Sequence, residues 1–306
     1  MKVLLAMDSS RGSQIALDEA AARPWPANTE FLVLNVLERI STRFPDILRQ
    51  AECRAANFVK AAAEKLMRAG YKCESEVAVG APRVAISECA KQWNADFLML
   101  GSHGHGAIGR FLLGSVAQGV LRTAPCSVEI VRPTASGSPA SSHNLKILLS
   151  TDGSEFSIAA AMAVASRPWP PGSQIKILSV EELPVFENQT TAFPLAAVYP
   201  ASLLQELLET ARNHAKEAVQ STKKIFAKTD LELVNSAPAP LGDPRVIILE
   251  QAQDWSADLM VLGSHGRRGL DRLLLGSVSE AVAIHAKCSV EVIRPDQQSG
   301  VEKQND

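Results

Sequence analysis

Short apolar runs alternate with longer amphipathic stretches along the whole chain. The runs at 31–37, 96–101 and 126–131 hold few polar residues, which is typical of strands covered on both faces of a sheet. The stretches between them place apolar residues at helical spacing. Strands that alternate with helices in this way predict a parallel sheet with right-handed crossovers. In the first half of the chain we expect strands at 2–7, 30–37, 72–79, 96–101 and 126–131, and helices at 13–22, 46–69, 83–93 and 115–123.

The second half of the chain repeats the first. Asp8 in LLAMDSS corresponds to Asp152 in LLSTDGS, 144 residues later, and Arg-Pro-Trp-Pro at 23–26 returns at the same separation. From Gly80 and Gly242 onward the separation is 162 residues, and the last 40 residues of each copy align without a gap at 21 identities. Each copy is as long as a whole domain, whereas the repeats of a solenoid are much shorter. We therefore predict two tandem, doubly wound α/β/α domains of Rossmann-like type.

The predicted boundaries follow from composition. The first domain spans 1–133 and the second spans 145–295. The linker at 134–144 is rich in Ser, Pro and Gly and has no large apolar residue, and the polar segment 296–306 is expected to be a flexible tail. The change in separation from 144 to 162 implies 18 extra residues in the second copy, which we place near 182–200.

Composition and charge narrow the function classes. The chain is 46% hydrophobic, which is too apolar for a disordered protein, and its net charge of −2 lacks the basic excess of most nucleic-acid-binding proteins. No apolar run approaches the ~20 residues that span a membrane. The opening run meets Asp8 too early to be the core of a signal peptide. We expect a cytoplasmic protein with no nucleic-acid and no membrane partner.

A glycine-containing loop follows the fourth predicted strand of each copy. In the first copy it reads Gly101-Ser-His-Gly104, nine residues, then Gly114-Ser115-Val116. Glycines permit close backbone approach, and the first N–H groups of the helix that follows have no partner within the helix. A hydroxyl at such a helix start is typical of a phosphate site. The second copy carries the same loop from Gly263 to Val278.

Asp8 and Asp152 each follow the first predicted strand of their copy. In open α/β sheets, ligands bind beyond the carboxyl ends of the strands, where the strand order reverses. If the first and fourth strands are neighbours across that reversal, the carboxylate and the phosphate loop face one crevice. A carboxylate suits ribose hydroxyls or an adenine amino group rather than a phosphate. This division of chemistry predicts a nucleotide.

The combined pattern resembles the ATP-binding branch of the universal stress protein family. Gly-x-x-Gly, nine residues and Gly-Ser, preceded by an N-terminal strand that ends in Asp, occurs over 1–133 and again over 145–295 without departure from the motif. The resemblance implies strand order 3-2-1-4-5 in each domain and ATP as the cofactor, with or without Mg²⁺. It also implies that the aspartates contact the adenosine end, that the backbones of Val36 and Val180 contact adenine, and that the glycine and serine residues hold the phosphates.

The candidate cofactor-binding residues occupy matching positions in the two copies. In the first copy they are Asp8, Val36, Gly101, His103, Gly104, Gly114, Ser115 and Val116, and in the second they are Asp152, Val180, Gly263, His265, Gly266, Gly276, Ser277 and Val278. No residue set predicts a catalytic centre, and no His, Cys and carboxylate spacing predicts a metal held by the protein.

Two alternatives concern single motifs. His103 and His265 are either donors to a phosphate or acid–base groups, or side chains that support the turn by hydrogen bonds. The segment from Gly104 to Gly109 also spells the dinucleotide fingerprint GxGxxG, with Glu129 as the acidic residue 20 positions further on. The second copy breaks that fingerprint, and Glu129 lies inside a predicted strand, so a dehydrogenase is disfavoured.

The expected function is regulation in a stress response that depends on a bound nucleotide, with at most slow ATP hydrolysis and no enzymatic role. An ATP-using enzyme of the adenylating type and a ligand-free interaction scaffold are the alternatives. The enzyme would need a second substrate pocket and activating cations, of which the sequence gives no clear sign. The scaffold is disfavoured by the glycines, which cost stability where the backbone does not require them.

The last strand of each copy lies at a predicted sheet edge. The segments 126–131 and 288–293 are apolar, and a bare edge invites pairing with another strand. We expect the two domains to form a pseudo-dimer through these strands. A homodimer of two chains is a further hypothesis.

Overall fold

The computed structural model describes residues 1–38, 45–104, 113–134, 139–182, 200–267 and 275–295. In the first copy the strands are β1 (Lys2–Ala6), β2 (Glu30–Leu37), β3 (Lys72–Val79), β4 (Phe97–Gly101) and β5 (Ser127–Val131). The helices between them are α1 (Arg11–Ala22), α2 (Pro45–Arg68), α3 (Pro82–Gln92) and α4 (Ser115–Thr123).

The second copy is built from the same parts. Its strands are β6 (Lys146–Ser150), β7 (Gln174–Val180), β8 (Glu232–Leu233), β9 (Ala237–Ala239), β10 (Leu259–Gly263) and β11 (Ser289–Ile293). Its helices are α5 (Glu155–Ala165), α6 (Ala201–Ile225), α7 (Pro244–Asp254) and α8 (Ser277–His285). Within the described residues, no helix is both long enough and apolar enough to cross a membrane.

The described strands form one sheet in the order β3-β2-β1-β4-β5-β11-β10-β6-β7-β8, and β9 also pairs with β7. All pairs within a copy are parallel. The predicted α/β fold with strand order 3-2-1-4-5 is therefore confirmed. In each copy the order reverses between the first and fourth strands, which are β1 and β4 in the first copy and β6 and β10 in the second.

The two copies join through the antiparallel pair β5 and β11, in which Glu129 lies opposite Glu291. On one face of the sheet, a single apolar core runs across this junction and includes Val128 and Val290. On the other face, each copy has a separate core. The helices α3, α4, α7 and α8 cover the shared face, while α1 with α2 and α5 with α6 cover the separate ones.

Two arginines cap helices of the opposite copy. Arg132, which follows β5, donates from Nη2 to the carbonyl oxygen of Ala283 at 2.6 Å, in the last turn of α8. Arg294, which follows β11, donates from Nη2 to the carbonyl oxygen of Leu121 at 2.7 Å, in the last turn of α4. The last carbonyls of a helix lack partners within it, and a cation there also matches the helix dipole. Burial lowers the pKa of Arg132 to about 10.

The third strand of the second copy is divided into β8 and β9, whereas β3 is continuous. Asn235 has a φ of 38°, which interrupts extended backbone at this point. The Ser236 hydroxyl accepts a hydrogen bond from the Ile177 N–H at 2.8 Å and so replaces a strand carbonyl. Pro238 has no N–H to offer the sheet. The third strand of the order 3-2-1-4-5 is therefore present in the second copy as two short segments that both pair with β7.

The extra residues of the second copy do not form one insertion, contrary to expectation. The long helix begins at Pro45 in the first copy and at Ala201 in the second, 156 positions apart. Matching residues of the two copies are 144 positions apart before this helix and 162 positions apart after it. Because the separation at the helix start, 156, lies between these values, extra residues lie both before and after the helix. Of the predicted insertion at 182–200, residues 183–199 lie outside the described part of the chain, as does the tail at 296–306.

Part of the predicted linker packs against the first copy. Residues 135–138 lie outside the described residues, and a short 3-10 helix follows at Ala140–Ser142. Ser141 is buried, and both its N–H and its hydroxyl donate to the Glu19 carboxylate of α1. This contact fixes the start of the second copy relative to the first.

Candidate functional site

Each copy contains a cavity beyond the strand ends where the sheet order reverses. The first cavity is about 640 Å³ and the second about 510 Å³. The structure brings all predicted residues of the first copy to one cavity: Asp8, Val36, Gly101, His103, Gly104, Gly114, Ser115 and Val116. It does the same in the second copy with Asp152, Val180, Gly263, His265, Gly266, Gly276, Ser277 and Val278. Both volumes lie in the range of small-molecule sites.

The Asp8 carboxylate is fixed by the start of α1. Its Oδ1 accepts hydrogen bonds from the Ser10 N–H at 3.1 Å, the Ser10 hydroxyl at 2.5 Å and the Ser13 hydroxyl at 2.6 Å. The Asp8 N–H in turn donates to the Ser13 hydroxyl oxygen at 3.0 Å. These bonds engage one carboxylate oxygen and orient the other toward the glycine loop, where it lies beside Gly104.

Asp152 is held differently. Its Oδ1 accepts from the Ser154 N–H at 3.0 Å, and its Oδ2 accepts from the Arg267 N–H at 2.9 Å. The Ser157 hydroxyl, which matches Ser13 in the repeat, instead accepts from the Thr151 hydroxyl at 3.1 Å. The two aspartates thus occupy equivalent places but are held by different donors among the described residues.

Contacts inside the protein already require the first two glycines of each loop. A Cβ atom on Gly104 would lie 2.7 Å from Asp8 Oδ2, and one on Gly266 would lie 2.9 Å from Asp152 Oδ2. A Cβ on Gly101 would lie 2.5 Å from the backbone of the α1 start. The glycines let the fourth-strand loop touch the first-strand loop, so their presence does not by itself require a ligand.

The helix that opens at each cavity has no side-chain cap. Ser10 caps α1 with its own hydroxyl, but α4 starts after Gly114, which offers none. The first helical bond of α4 runs from the Gln118 N–H to the Gly114 carbonyl at 2.9 Å. No described residue accepts from the N–H groups of the three residues from Ser115 onward, and α8 begins in the same way after Gly276. These helix starts present free donors and a positive dipole end to the cavity.

The two histidines of the loops line the cavities but face inward. Nδ1 of His103 lies 3.0 Å from the Ser102 hydroxyl, and Nδ1 of His265 lies 3.0 Å from that of Ser264. Nε2 of each ring is buried and has no hydrogen-bond partner among the described residues. The His265 ring also packs on Phe156 at a centroid distance of 4.9 Å. Of the two alternatives, this geometry favours support of the turn.

A family model described as "Universal stress protein family" matches residues 1–132 and 143–294. The chain belongs to the universal stress protein family. It carries two tandem domains of that family, as the repeat predicted, and the family supplies its stress-response context.

Individual family members resemble the chain over most of its length. It is 30% identical over 243 residues to a universal stress protein of Mycobacterium tuberculosis, covering 78% of this chain and 75% of the relative. A universal stress protein of Mycolicibacterium smegmatis is 26% identical over 308 residues, covering 96% and 97%. The crystal structure of a universal stress protein from Archaeoglobus fulgidus matches with a TM-score of 0.62 at 21% identity, covering 97% of each chain, and shows the shared fold.

Charge is distributed unevenly around the two sites of this family member. The described lining of the first cavity includes the acidic side chains of Asp8 and Glu38 and no Lys or Arg. The second cavity includes Asp152, Glu182 and the cation of Arg267. Most of the nine-residue stretch in each loop lies outside the described residues, at 105–112 and 268–274. Among the described residues, no group of three or more His, Cys, Asp or Glu side chains is arranged to hold a metal ion.

Sequence reasoning missed several lining residues. Ser13, which orients Asp8, could have been found, because Ser157 matches it in the repeat. Thr210 and His214 of α6 line the second cavity, whereas no described side chain of α2 lines the first. Nothing in the sequence marks these two residues, since their position depends on how the long helix packs on the sheet.

Proposed function

We propose that each copy binds an adenine nucleotide, with ATP as the ligand, and that the protein is a nucleotide-responsive regulator in the stress response. The observation that carries this proposal is the convergence of a fixed carboxylate and an uncapped helix start on one cavity, repeated in both copies. In the first copy these are Asp8 and the N-terminus of α4, and in the second Asp152 and the N-terminus of α8.

The residues present fit the parts of a nucleotide. The Asp8 carboxylate, which lines the cavity beside Gly104, suits ribose hydroxyls, and the N–H groups from Ser115 onward suit phosphate oxygens. Val36, next to the last residue of β2, lines the same cavity and would place backbone groups beside adenine. Phosphate charge would be balanced by backbone donors and the helix dipole, which explains why a protein of near-neutral charge can hold an anion.

Bound ATP supplies a phosphoanhydride chain that can be cleaved by water. The described residues of the first cavity hold the ligand rather than activate that water. Asp8 Oδ1 is engaged by hydroxyl and N–H donors, and Nε2 of His103 is buried. Slow turnover at most, and a regulatory role rather than an enzymatic one, are therefore part of the proposal.

A ligand-free scaffold is the second candidate, because contacts inside the protein account for the loop glycines. Gly101 and Gly104 abut the backbone of the α1 start and the Asp8 carboxylate, so they would be retained without any ligand. The scaffold does not account for the uncapped starts of α4 and α8. Side-chain caps stabilise helices by about 1 kcal/mol, and α1 and α5 both have one.

The test is the nucleotide content of the purified protein, measured by mass spectrometry after denaturation, together with calorimetric titration with ATP. We expect two nucleotides per chain for the wild type, one for Ser115→Asp, one for Ser277→Asp and none for the double variant. A carboxylate at a helix start repels phosphate while it suits the helix dipole. Ala201→Asp, at the start of α6 and away from both cavities, is the matched control and should retain two.

Three results would overturn the proposal. Wild-type protein that contains no nucleotide and shows no binding to ATP would support the scaffold. Rapid hydrolysis of ATP that a second substrate stimulates would support the adenylating enzyme. Equal nucleotide content in the wild type and the double variant would show that the ligand binds somewhere other than at these helix starts.

A further inference from the structure

A smaller cavity adjoins the first site on the outer side of the α4 start. It is about 580 Å³ and shares Glu38, Pro82, Ser115 and Val116 with the main cavity, so the two cavities lie side by side. Gly80, Ala81 and Arg83 line this cavity and not the main one, and Arg83, in the first turn of α3, is the cation among them. Arg83 therefore lines the same cavity as Ser115 at the uncapped helix start, in a site whose main cavity has no described cation.

The chain makes room for the Arg83 side chain on α4. A Cβ atom on Gly119 would lie 3.0 Å from Arg83 Cβ and 3.1 Å from Arg83 Cδ, so the arginine stem passes over the glycine. Glycine in a helix interior costs about 1 kcal/mol relative to alanine. The matching residue in the second copy is Ala281. Helix α4 therefore carries a destabilising residue at the place where Arg83 lies.

The equivalent arginine of the second copy is neutralised. Arg245 donates to the Asp243 carboxylate from Nε at 3.0 and 3.1 Å and from Nη2 at 2.7 Å. These hydrogen bonds hold the pKa of Asp243 below its usual range. In the first copy Ala81 takes the place of Asp243, and Arg83 has no ion-pair partner within 4 Å among the described residues, Glu38 included.

We propose that Arg83 is a specificity-determining residue of the first site, which contacts the terminal phosphates of a nucleoside di- or triphosphate. The phosphate nearest the ribose lies on the α4 start, and the chain beyond it extends into the adjoining cavity toward the guanidinium. Asp243 removes the corresponding contact from the second site. The first site therefore prefers nucleoside di- and triphosphates over the monophosphate. In the second site this preference is weaker, because Arg245 is paired with Asp243. This inference rests on the proposed nucleotide-binding function.

The experiment measures ATP and AMP affinities by calorimetry in the Ser277→Asp background, which leaves the first site to report alone. Because exposed ion pairs contribute up to about 1 kcal/mol, Arg83→Ala should weaken ATP binding about three- to fivefold and leave AMP binding within about twofold. Ala81→Asp should reproduce this loss with Arg83 still present, because the new carboxylate captures the guanidinium as Asp243 does. In the Ser115→Asp background, Arg245→Ala should leave the ATP to AMP ratio unchanged.

The outcomes distinguish a failure of this inference from a failure of the proposed nucleotide-binding function. If ATP binds in the Ser277→Asp background and Arg83→Ala changes ATP and AMP binding equally or not at all, this inference is wrong and the proposed function stands. If the wild type binds no nucleotide, both fall. Thermal melting of each variant by circular dichroism checks the fold, and since Ala81 and Arg83 are both exposed, their variants should melt within about 3 °C of their background.

Discussion

The junction between the two copies contains a buried cluster of charged side chains. The change in unfolding free energy on removing one of these charges can be predicted quantitatively. Glu129 and Glu291 face each other in β5 and β11 and are fully buried. Arg23 binds Glu129 through two hydrogen bonds of 2.6 and 2.7 Å, and Arg167 binds Glu291 at 2.6 Å. Two carboxylates therefore meet in the interior, and each depends on an arginine of its own copy.

Replacing Arg23 by Ala should destabilise the protein by about 3–5 kcal/mol at neutral pH, because the variant leaves a buried carboxylate without its partner. Burial already raises the pKa of Glu129, against the opposing effect of Arg23. Without the arginine this pKa rises further, and a carboxyl group whose pKa is raised in the folded state favours folding as the pH falls through that pKa. The deficit of Arg23→Ala should therefore shrink on acidification.

The double variant Arg23→Met/Glu129→Leu removes the Glu129 charge together with its partner and keeps the volume apolar, so it should cost clearly less than Arg23→Ala. Glu19 loses its 3.1 Å hydrogen bond from Arg23 in both variants and keeps those from Ser141. Urea denaturation followed by tryptophan fluorescence measures all variants, since Trp25 and Trp169 lie 5.3 and 5.9 Å from the Arg23 guanidinium. A cost of less than about 1 kcal/mol for Arg23→Ala, or an equal cost for the double variant, would refute the reasoning.

Further predictions concern the helix ends and the linker contact. In nucleotide-free protein, Ser115→Asp should raise the unfolding free energy by about 0.3–1 kcal/mol, because the carboxylate interacts favourably with the helix dipole, and a loss of stability in urea would contradict this. The comparison is made without nucleotide, because loss of a ligand bound to the folded state would by itself lower the stability. Burial works to raise the pKa of Glu19, but Arg23 and Ser141 hold it below its usual value, so its contribution is lost as the pH falls through that lowered pKa. Glu19→Gln should then flatten the decline of the urea midpoint on acidification. Arg132→Ala should cost about 2 kcal/mol by loss of charge-assisted hydrogen bonds, against less than about 1 for the exposed Arg122→Ala, in the same denaturation assay.

Much of the fold follows from local pattern. The strand predicted at 96–101 is observed as Phe97–Gly101, and the helix predicted at 115–123 has those bounds in the structure. Continuous apolar runs identify buried strands, and most of these patterns occur a second time at the matching positions of the other copy. The convergence of Asp8 with the glycine loop also follows, because strand order fixes which strand ends are neighbours.

The remaining features depend on tertiary contacts that no local pattern encodes. The local pattern predicts Glu129 inside a strand, but nothing in it indicates that Arg23 binds this residue from 106 positions away. The division of the third strand results from the positive φ of Asn235, a residue type that also occurs in ordinary loops. The difference between Ala81 and Asp243 is visible in the sequence, yet its effect on the neighbouring arginine appears only with the side chains in place.

The antiparallel seam between β5 and β11 has a consequence for how the two sites can change. In a symmetric pair of identical chains, every substitution appears at both sites at once, so neither site can acquire a property that the other must lack. Here the same seam lies within one polypeptide. Ala81 and Asp243 show the result, because they are one of the charge differences between two cavities that share an architecture, and Arg267 in the second cavity is another. Joining the copies in one chain turns two identical cavities into two that can change separately.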